Sequence, residues 1–396
     1  MPRHHTIVQE LLTAAAAGVP ARFAVRSTVR IGRQQGVLIG VDNGNDALKI
    51  AVLRPDGTLI TRRIPAAYRA AALIRGGASE VSYRVDGAPG CWIGETALRH
   101  DGDDLPIGPT RQRLTDPRLR HLLAAGLVEV LHAAGYAPGS HTLVLGLAIP
   151  NTEIVPVRGA GADEGERLGV DPETRQVLEQ HLTGVTWSVE RLGADGDGTA
   201  WQLRLATVLP QAQTTGTLVA VTKAPTGTTV TDVEEMDIVD IGGGDLQVTT
   251  VQIQPTYRMT TRRLGDGTIR IARALKEHFP RHELTDVAAQ HALITRRLLV
   301  SGRQRPIDAE VAAVLNSQGQ ALIGAVLPVL RQSRRFVMIT GGGVILLHDL
   351  LQPRLEAELK RRGEDYDFIH HGIASEINSI GVLFAALFRA AAATRS

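Results

Sequence analysis

Three short stretches hold residue types from which chemistry could be built. VLIGVDNGNDALKIAV (37–52) sets Asp42, Asn43, Gly44, Asn45 and Asp46 between two apolar runs, with Lys49 on the far side. MDIVDIGGGDLQVTTVQI (236–253) repeats the design with Asp240, Gly242, Gly243 and Gly244, and FVMITGGG (336–343) leaves an apolar run through Gly341, Gly342 and Gly343. Glycine lets the backbone take positive φ and approach a ligand closely, and successive N–H groups in such a turn form an anion nest. A carboxylate inside a phosphate nest would repel phosphate on its own. It makes sense where a divalent cation stands between them, because Mg²⁺ keeps several waters and is held by one or two carboxylates together with phosphate oxygens. Asp42 and Asp240 are therefore candidates for holding magnesium waters, and Lys49 for a point charge toward the phosphates. Any one Gly-Gly or Asp-Gly turn is more often a bare structural turn. Three in order, each leaving an apolar run, point to a phosphate-binding system.

Competing signatures are weak or missing. The chain has no GxxxxGK[ST] loop and no GxGxxG between a strand and a helix. GAGADEG (159–165) has other spacing and follows no clear strand. His278 and His282 are four apart, but Pro280 between them spoils a helix and no glutamate stands at the zinc-protease position, so they read as solvated histidines. Asp101, Asp103 and Asp104, like Asp195 and Asp197, sit in turn-like sequence without a full calcium ligand set and read as solvated loops.

The elements that must position these turns can be read from periodicity. Residues 37–42 and 47–53 read as strands around the first cluster. TLITRRI (58–64), after the Pro-Asp-Gly turn of RPDG, adds a third strand and completes a meander. Residues 66–110 read as an irregular excursion with one short strand, VSYRV. A helix is predicted over 117–135, with Pro117 near its start and Gly135 past its end, followed by a buried strand HTLVLGLAIP (141–150). Residues 156–170 read as a surface loop, 172–183 as a short helix, and VTWSVERL with AWQLRLATVLP as a hairpin. Residues 236–253 form a second Asp/Gly hairpin. Helices dominate from Gly265-Asp266-Gly267 to about 332, a strand enters the glycine turn at 341, and a last helix spans 375–393. The repeated strand-turn-strand unit suggests an internal duplication, two α/β halves each starting with a turn aimed at a ligand.

Composition sets outer bounds. At 396 residues, two domains or one large bilobed unit is expected, and 43% hydrophobic with 21% charged residues suits a soluble globular protein. A formal net charge of +2 favours no particular partner, and the single cysteine, Cys91, excludes an internal disulfide framework and a cysteine-based zinc site. No continuous apolar run reaches membrane-span length. TIVQELLTAAAAG near the N-terminus is helix-like but interrupted by Gln9 and Glu10, so it is read as no signal peptide and the protein as cytoplasmic. Residues 1–36 carry Arg3, Arg22, Arg26, Arg30 and Arg33 against Glu10 alone. Such a basic arm could touch nucleic acid or an acidic partner; the simpler expectation is a loosely ordered or locally packed extension.

In the order VDNGNDALK, DIGGGD, TGGGV, the sequence over about residues 37–396 resembles the actin superfamily, with its two phosphate loops and adenosine motif. The first cluster is similar to actin's own Asp-Asn-Gly-Ser-Gly-x-x-Lys. VLPQAQTTGTL, IVDIGGGDLQV, the Gly-Asp-Gly turn and SEINSIGVLF look more like the ParM (StbA-type) plasmid-segregation actins. The resemblance implies an α/β, bilobed actin-like (RNase H-like, duplicated) fold with a nucleotide cleft between two domains. Domain I would span 37–212 with a small subdomain about 66–110, completed by 376–396. Domain II would span 213–375 with a small helical subdomain about 268–310.

Carried over residue by residue, the resemblance implies that Asp42, Asn43, Gly44, Asn45 and Lys49 meet phosphates and the water shell of Mg²⁺. Asp240, Gly242, Gly243 and Gly244 would form the second loop, and Gly341, Gly342 and Gly343 would pass under the adenosine of ATP (or GTP). Gln211 falls where actin has a glutamine and ParM proteins a glutamate that orient the attacking water, and Gln247 where actin has a histidine and ParM proteins often an aspartate. With glutamine at both places there is no obvious base beyond Asp240 and metal-bound water, which implies slow hydrolysis, about one turnover per minute or less. Head-to-tail filaments for plasmid or DNA segregation are expected, with hydrolysis weakening subunit contacts. A DNA-binding adaptor would make DNA contact indirect, and no direct membrane contact is expected. The alternatives are a sugar-type kinase of the same fold, for which no catalytic-Asp motif is found, and a FtsA-like or PilM-like membrane scaffold. The terminal SEINSIGVLFAALFRAAAATRS is apolar on most faces, as a core helix would be.

Overall fold

The computed structural model describes all residues except 1–5, 32–33, 71–79, 159–165, 194–197, 231–232, 254–256, 301–302, 333–335, 363–370 and 394–396. It divides into two compact units, Met1–Thr231 with Asn378–Ser396, and Asp232–Ile377.

The first unit is organised on a mixed sheet. The meander Leu59–Pro65, Ala47–Leu53, Gln34–Asn43 continues into Gly139–Ile149 and then Gly198–Ala212, both joined in parallel, and into the antiparallel Thr186–Leu192. The central strands are buried on both faces, which is why they read as continuous apolar runs instead of alternating ones. One face carries the helix Pro117–Ala133, which begins on the Asp116 side-chain cap with proline at its first turn and is followed by Gly135 at φ 78. Leu48, Ile50 and Ile64 meet this helix at Gly126. The other face carries the last helix, Ile377–Ala393, at Gly40 and Gly146. A Cβ there would stand 2.0 Å from the Ser379 carbonyl oxygen or 2.4 Å from that of Val382, so these two glycines let the helix lie directly on the sheet.

Three expectations are corrected here. Residues 66–110 are more regular than an irregular excursion. Ala67–Ala70, Ser82–Val85, Cys91–Ile93 and Asp103–Asp104 extend the same sheet beyond Thr186–Leu192, a placement set by pairing with a strand more than 100 residues away. The Gly76-Gly77 pair lies outside the described residues. Residues 156–170 are not simply a loop, because Ile154–Arg158 pairs antiparallel with Glu166–Val170; GAGADEG falls outside the described residues, as do Asp195 and Asp197. The helical region after 267 contains a hairpin, Arg297–Val300 with Arg303–Pro306, entered where Arg296 turns the chain at φ 54.

The described part of the N-terminal arm is packed. The helix Ile7–Ala16, capped by Thr6, buries Ile7, Val8 and Leu11; the Ile7 amide donates to the Lys223 carbonyl at 3.0 Å, at the end of helix Gln213–Thr222. Phe23 meets Phe384 edge to face at 4.9 Å, and Thr28–Ile31 pairs with the start of Gln34–Asn43.

The second unit has a four-stranded sheet in the order Arg258–Asp266, Asp245–Gln252, Glu235–Ile241, Phe336–Thr340. Its first three strands form an antiparallel meander and the fourth joins in parallel. This is the pattern of the first unit's meander and Gly139–Ile149, so the duplication suspected from the two turns recurs as strand topology. The continuous helical stretch Asp308–Arg331 is long and apolar enough to cross a membrane by length and composition alone, and half of its apolar window is buried.

Candidate functional site

Each turn sits where a parallel strand ends. Ligands of open α/β sheets bind beyond the carboxyl ends of such strands. In the first unit, Asp42 is paired in register with Ala148 on one side and Lys49 on the other, and Lys49 with Arg63. In the second, Asp240 is paired with Thr340 and Gln247, and Gln247 with Arg263. The two rows therefore read Ala148–Asp42–Lys49–Arg63 and Thr340–Asp240–Gln247–Arg263. The Asp and the next member are seven residues apart in both halves, and side chains in one register row share a face of the sheet.

Asp42 is fully buried, with its Oδ2 3.6 Å from Lys49 Nζ and its Oδ1 accepting from Gln213 Nε2 at 3.2 Å. Lys49 also lies 3.9 Å from Asp46 Oδ1, and Arg63 Nη2 donates to Asp46 Oδ2 at 2.8 Å. Burial works against the charge of Asp46, but Lys49 and Arg63 outweigh it and hold its carboxyl down at about 2. Asp46, which had no role from sequence, is thus the counter-ion that fixes Lys49 and Arg63 beside the turn. Gly44, Asn45 and Asp46 form the turn itself, after Asn43 ends the strand. A Cβ on Gly44 would come within 3.1 Å of the Ala47 carbonyl oxygen and Asp46 Oδ1 and 3.4 Å of Lys49 Nζ, so the turn is closed tightly on its own side chains.

The group that sequence reasoning missed is Arg113. It is 3% exposed, in the short helix Thr110–Leu114, and its guanidinium donates to the carbonyl of Asn43, to Asn43 Oδ1 at 3.0 Å, to the carbonyl of Gly44 at 2.9 Å and to that of Pro106 at 3.1 Å. Desolvation pulls its pKa down to about 10 while Asp42, Asp46 and Glu153 oppose the fall, so it remains a cation. Glu153, also buried, accepts from the Thr110 amide at 2.7 Å and from Thr174 Oγ1 at 2.8 Å, anchoring the helix that carries Arg113. No local pattern in TRQRL marks Arg113, because its partners in the turn lie about 70 residues earlier in the chain.

The second turn is held differently. The amides of Gly267, Thr268 and Ile269, at the start of helix Ile269–Glu277, donate to the carbonyls of Gly244, Gly242 and Gly243 at 3.3, 3.0 and 2.7 Å, and Gln290 Nε2 adds a bond to Gly243 at 3.1 Å. Gln247 is buried and donates to Asp245 Oδ2. In the third turn, Gly341 has φ 95 and Gly342 begins the helix Gly342–Arg362. A Cβ on Gly341 would stand 2.3 Å from Asp240 Oδ1, and one on Gly343 2.2 Å from Ile241 Cγ2. The second and third turns are therefore in contact, with Asp240 between them.

Of the two glutamines near the end of Gly198–Ala212, Gln211 is paired with Ala148, in the row of Asp42 but two strands away, about 9–10 Å at ordinary strand spacing. Gln213, at the first position of the following helix, is the one that reaches Asp42. Among the described residues no three His, Cys, Asp or Glu side chains converge as a metal-ligand cluster. The donor set instead suits a cation held through its waters: one carboxylate at the end of each strand, flanked by a glycine turn with its carbonyls tied back.

No protein-family model matches the chain, and no curated protein matches it. Solved structures do. An archaeal actin homologue in complex with ADP matches with TM-score 0.59 at 17% identity, covering 88% of this chain and 99% of that one. Bacillus thuringiensis ParM with ATP matches with TM-score 0.59 at 15% identity, covering 89% and 98%. The apo psk41 ParM protein matches with TM-score 0.56 at 14% identity, covering 90% and 98%. With glycine turns at the ends of duplicated strands and likeness over nearly nine-tenths of its length, the chain has the fold of the actin superfamily.

Proposed function

We propose that the protein is an actin-like ATPase that binds ATP with Mg²⁺, hydrolyses it slowly and assembles head to tail into filaments that segregate plasmid or other DNA through a DNA-binding adaptor. The observation that carries this reading is the repeated row, Asp42–Lys49–Arg63 and Asp240–Gln247–Arg263, each beside a glycine turn whose carbonyls are held from behind. Solved actin homologues and ParM proteins of the same fold in complex with ADP or ATP support nucleotide as the ligand.

Asp42 and Asp240 would hold the water shell of Mg²⁺, Lys49 would face the phosphates, and Gly341, Gly342 and Gly343 would pass under the adenosine. Bound Mg²⁺ would neutralise phosphate charge. Gln247, with Gln211 or Gln213, would orient water without serving as a base. Positioning without a strong base fits turnover of about one per minute or slower. Domain I (37–212, completed by 376–396) and domain II (213–375) would each supply one phosphate loop. A head-to-tail interface is heterologous and does not close, so it generates an open filament. The cytoplasm is the compartment this reading requires.

Titration calorimetry with Mg-ATP, followed by light scattering and electron microscopy, tests it. Saturable binding and filaments that form with Mg-ATP and fall apart as ATP is consumed support the reading. A monomer that turns over ATP only with an added sugar points to a kinase, and assembly that needs lipid points to a membrane scaffold; either result overturns it.

A further inference from the structure

The two phosphate loops are organised by different chemistry, and the difference gives Arg113 a task. A trans peptide points its C=O and the next residue's N–H in opposite directions. Whatever holds the carbonyls of a turn therefore aims its amides the other way. In the second loop, the amides of Gly267, Thr268 and Ile269 and the Gln290 side chain hold the carbonyls of Gly242, Gly243 and Gly244. The corresponding turn in the first unit is held by a guanidinium: Arg113 takes the carbonyls of Asn43 and Gly44, and the Asn43 side-chain oxygen as well.

We propose that Arg113 is the positioning residue of the first phosphate loop, aiming the amides of Gly44 and Asn45 at the phosphates of a bound nucleoside triphosphate. This rests on the nucleotide reading above. Two features equip Arg113 for the work. Its planar fork reaches two successive carbonyls at once, which an ammonium group cannot copy. It is also fixed from behind by the Pro106 carbonyl, on a helix whose Thr110 amide is tied to buried Glu153. Its charge adds to that of Lys49 without needing to touch the ligand, since Asp42 and Asp46 already occupy the loop's anionic positions and are balanced by Lys49 and Arg63.

The test compares the full-length wild type with Arg113→Lys and Arg113→Ala. Hydrogen exchange of the 43–46 backbone amides is measured first, in nucleotide-free protein, with the 242–245 amides as internal reference. Both variants should exchange faster at 43–46 and unchanged at 242–245. Calorimetry then uses Mg-ATP and adenosine as probes. Arg113→Lys should lose ATP affinity about tenfold to hundredfold, as expected for a charge-assisted hydrogen bond, while adenosine affinity stays put. Millimolar guanidinium should recover part of the loss in Arg113→Ala. An Arg113→Lys protein that melts cooperatively and matches wild type in exchange and ATP affinity overturns the inference, as does an equal loss for ATP and adenosine. If wild type binds no ATP, the nucleotide reading falls, and the phosphate-aiming role falls with it; the exchange data alone then say whether Arg113 orders the loop.

Discussion

Asparagine at position 46 separates what this carboxylate does for the fold from what it does for a ligand. Asp46 is buried between Arg63 at 2.8 Å and Lys49 at 3.9 Å. Burial pushes its pKa up, but the two cations win and hold it at about 2 against an ordinary 3.8. At ~1.36 kcal/mol per pKa unit, that gap contributes about 2.5 kcal/mol at pH 7. Because the folded-state pKa is depressed, the contribution is complete above the unfolded value near pH 4. It is lost as pH falls toward the folded value near 2, with about half remaining at pH 3. Asp46→Asn removes it and leaves Lys49 and Arg63 short of a counter-charge, so the loss at neutral pH should be about 2.5 kcal/mol or somewhat more. Trp92, Trp187 and Trp201 all lie in the first unit, so tryptophan fluorescence in urea reports the unit that holds the turn. The stability difference between wild type and variant should fall by about half between pH 7 and pH 3. Affinity for Mg-ATP should hold or rise, because a negative charge beside the phosphate turn is gone. A difference that is the same at both pH values, or below about 0.5 kcal/mol at pH 7, refutes the reasoning.

Three further perturbations act on other parts of the structure. Gly341→Ala places a Cβ 2.3 Å from Asp240 Oδ1 at φ 95, so thermal melting should reveal a loss of about 1–3 kcal/mol and ATP binding should weaken together with it. Lys49→Met leaves Asp42 and Asp46 without the ammonium between them, which should cut Mg-ATP affinity by about tenfold or more in calorimetry and lower stability as well. Ile7→Ala opens a fully buried site under the N-terminal helix and should cost about 2–4 kcal/mol in urea unfolding; a cost near zero would return residues 6–31 to the status of a loose arm.

The features legible in the sequence are those specified locally. The Asp42 and Asp240 hairpins, the helix Pro117–Ala133 with its proline start and glycine stop, and the strand into Gly341 follow from apolar runs and turn residues a few positions apart. What was missed is specified at long range. The expected strand in VSYRV is present as Ser82–Val85, but those at 67–70 and 91–93 take their place only from the sheet that it continues beyond Thr186–Leu192, so their own short patterns look irregular. Arg113 sits in a polar segment and becomes exceptional only by being buried against a turn far away in the chain. Asp46 could not be assigned because its meaning lies in Arg63, across the meander. Gln211 and Gln213 stand on either side of Ala212, at a strand-to-helix junction, and the junction geometry, invisible to spacing, brings Gln213 to Asp42.

The asymmetry between the duplicated halves has a physical reading of its own. Both keep an Asp at the strand end with an Arg two strands away in the same register row, but Lys49 in the first is replaced by Gln247 in the second. The first half concentrates charge: Asp42 and Asp46 are paired with Lys49 and Arg63, and Arg113 adds a third buried cation, held by carbonyl and amide oxygens. A buried network of that kind is stable only while every member is present, which makes its turn rigid. The second half uses neutral amides, from the start of a helix and from Gln290, to hold a turn of three glycines, and its polar partner Gln247 is uncharged. A rigid loop held by charged groups is suited to fixing a highly charged ligand, whereas one held by neutral amides, with Gln247 beside it, is suited to orienting water without competing for its protons. Exchanging the two partners tests this division of labour. Gln247→Lys should tighten Mg-ATP binding and slow its hydrolysis in steady-state phosphate release. If the change raised hydrolysis instead, the neutral amide at 247 would have no part in placing the water.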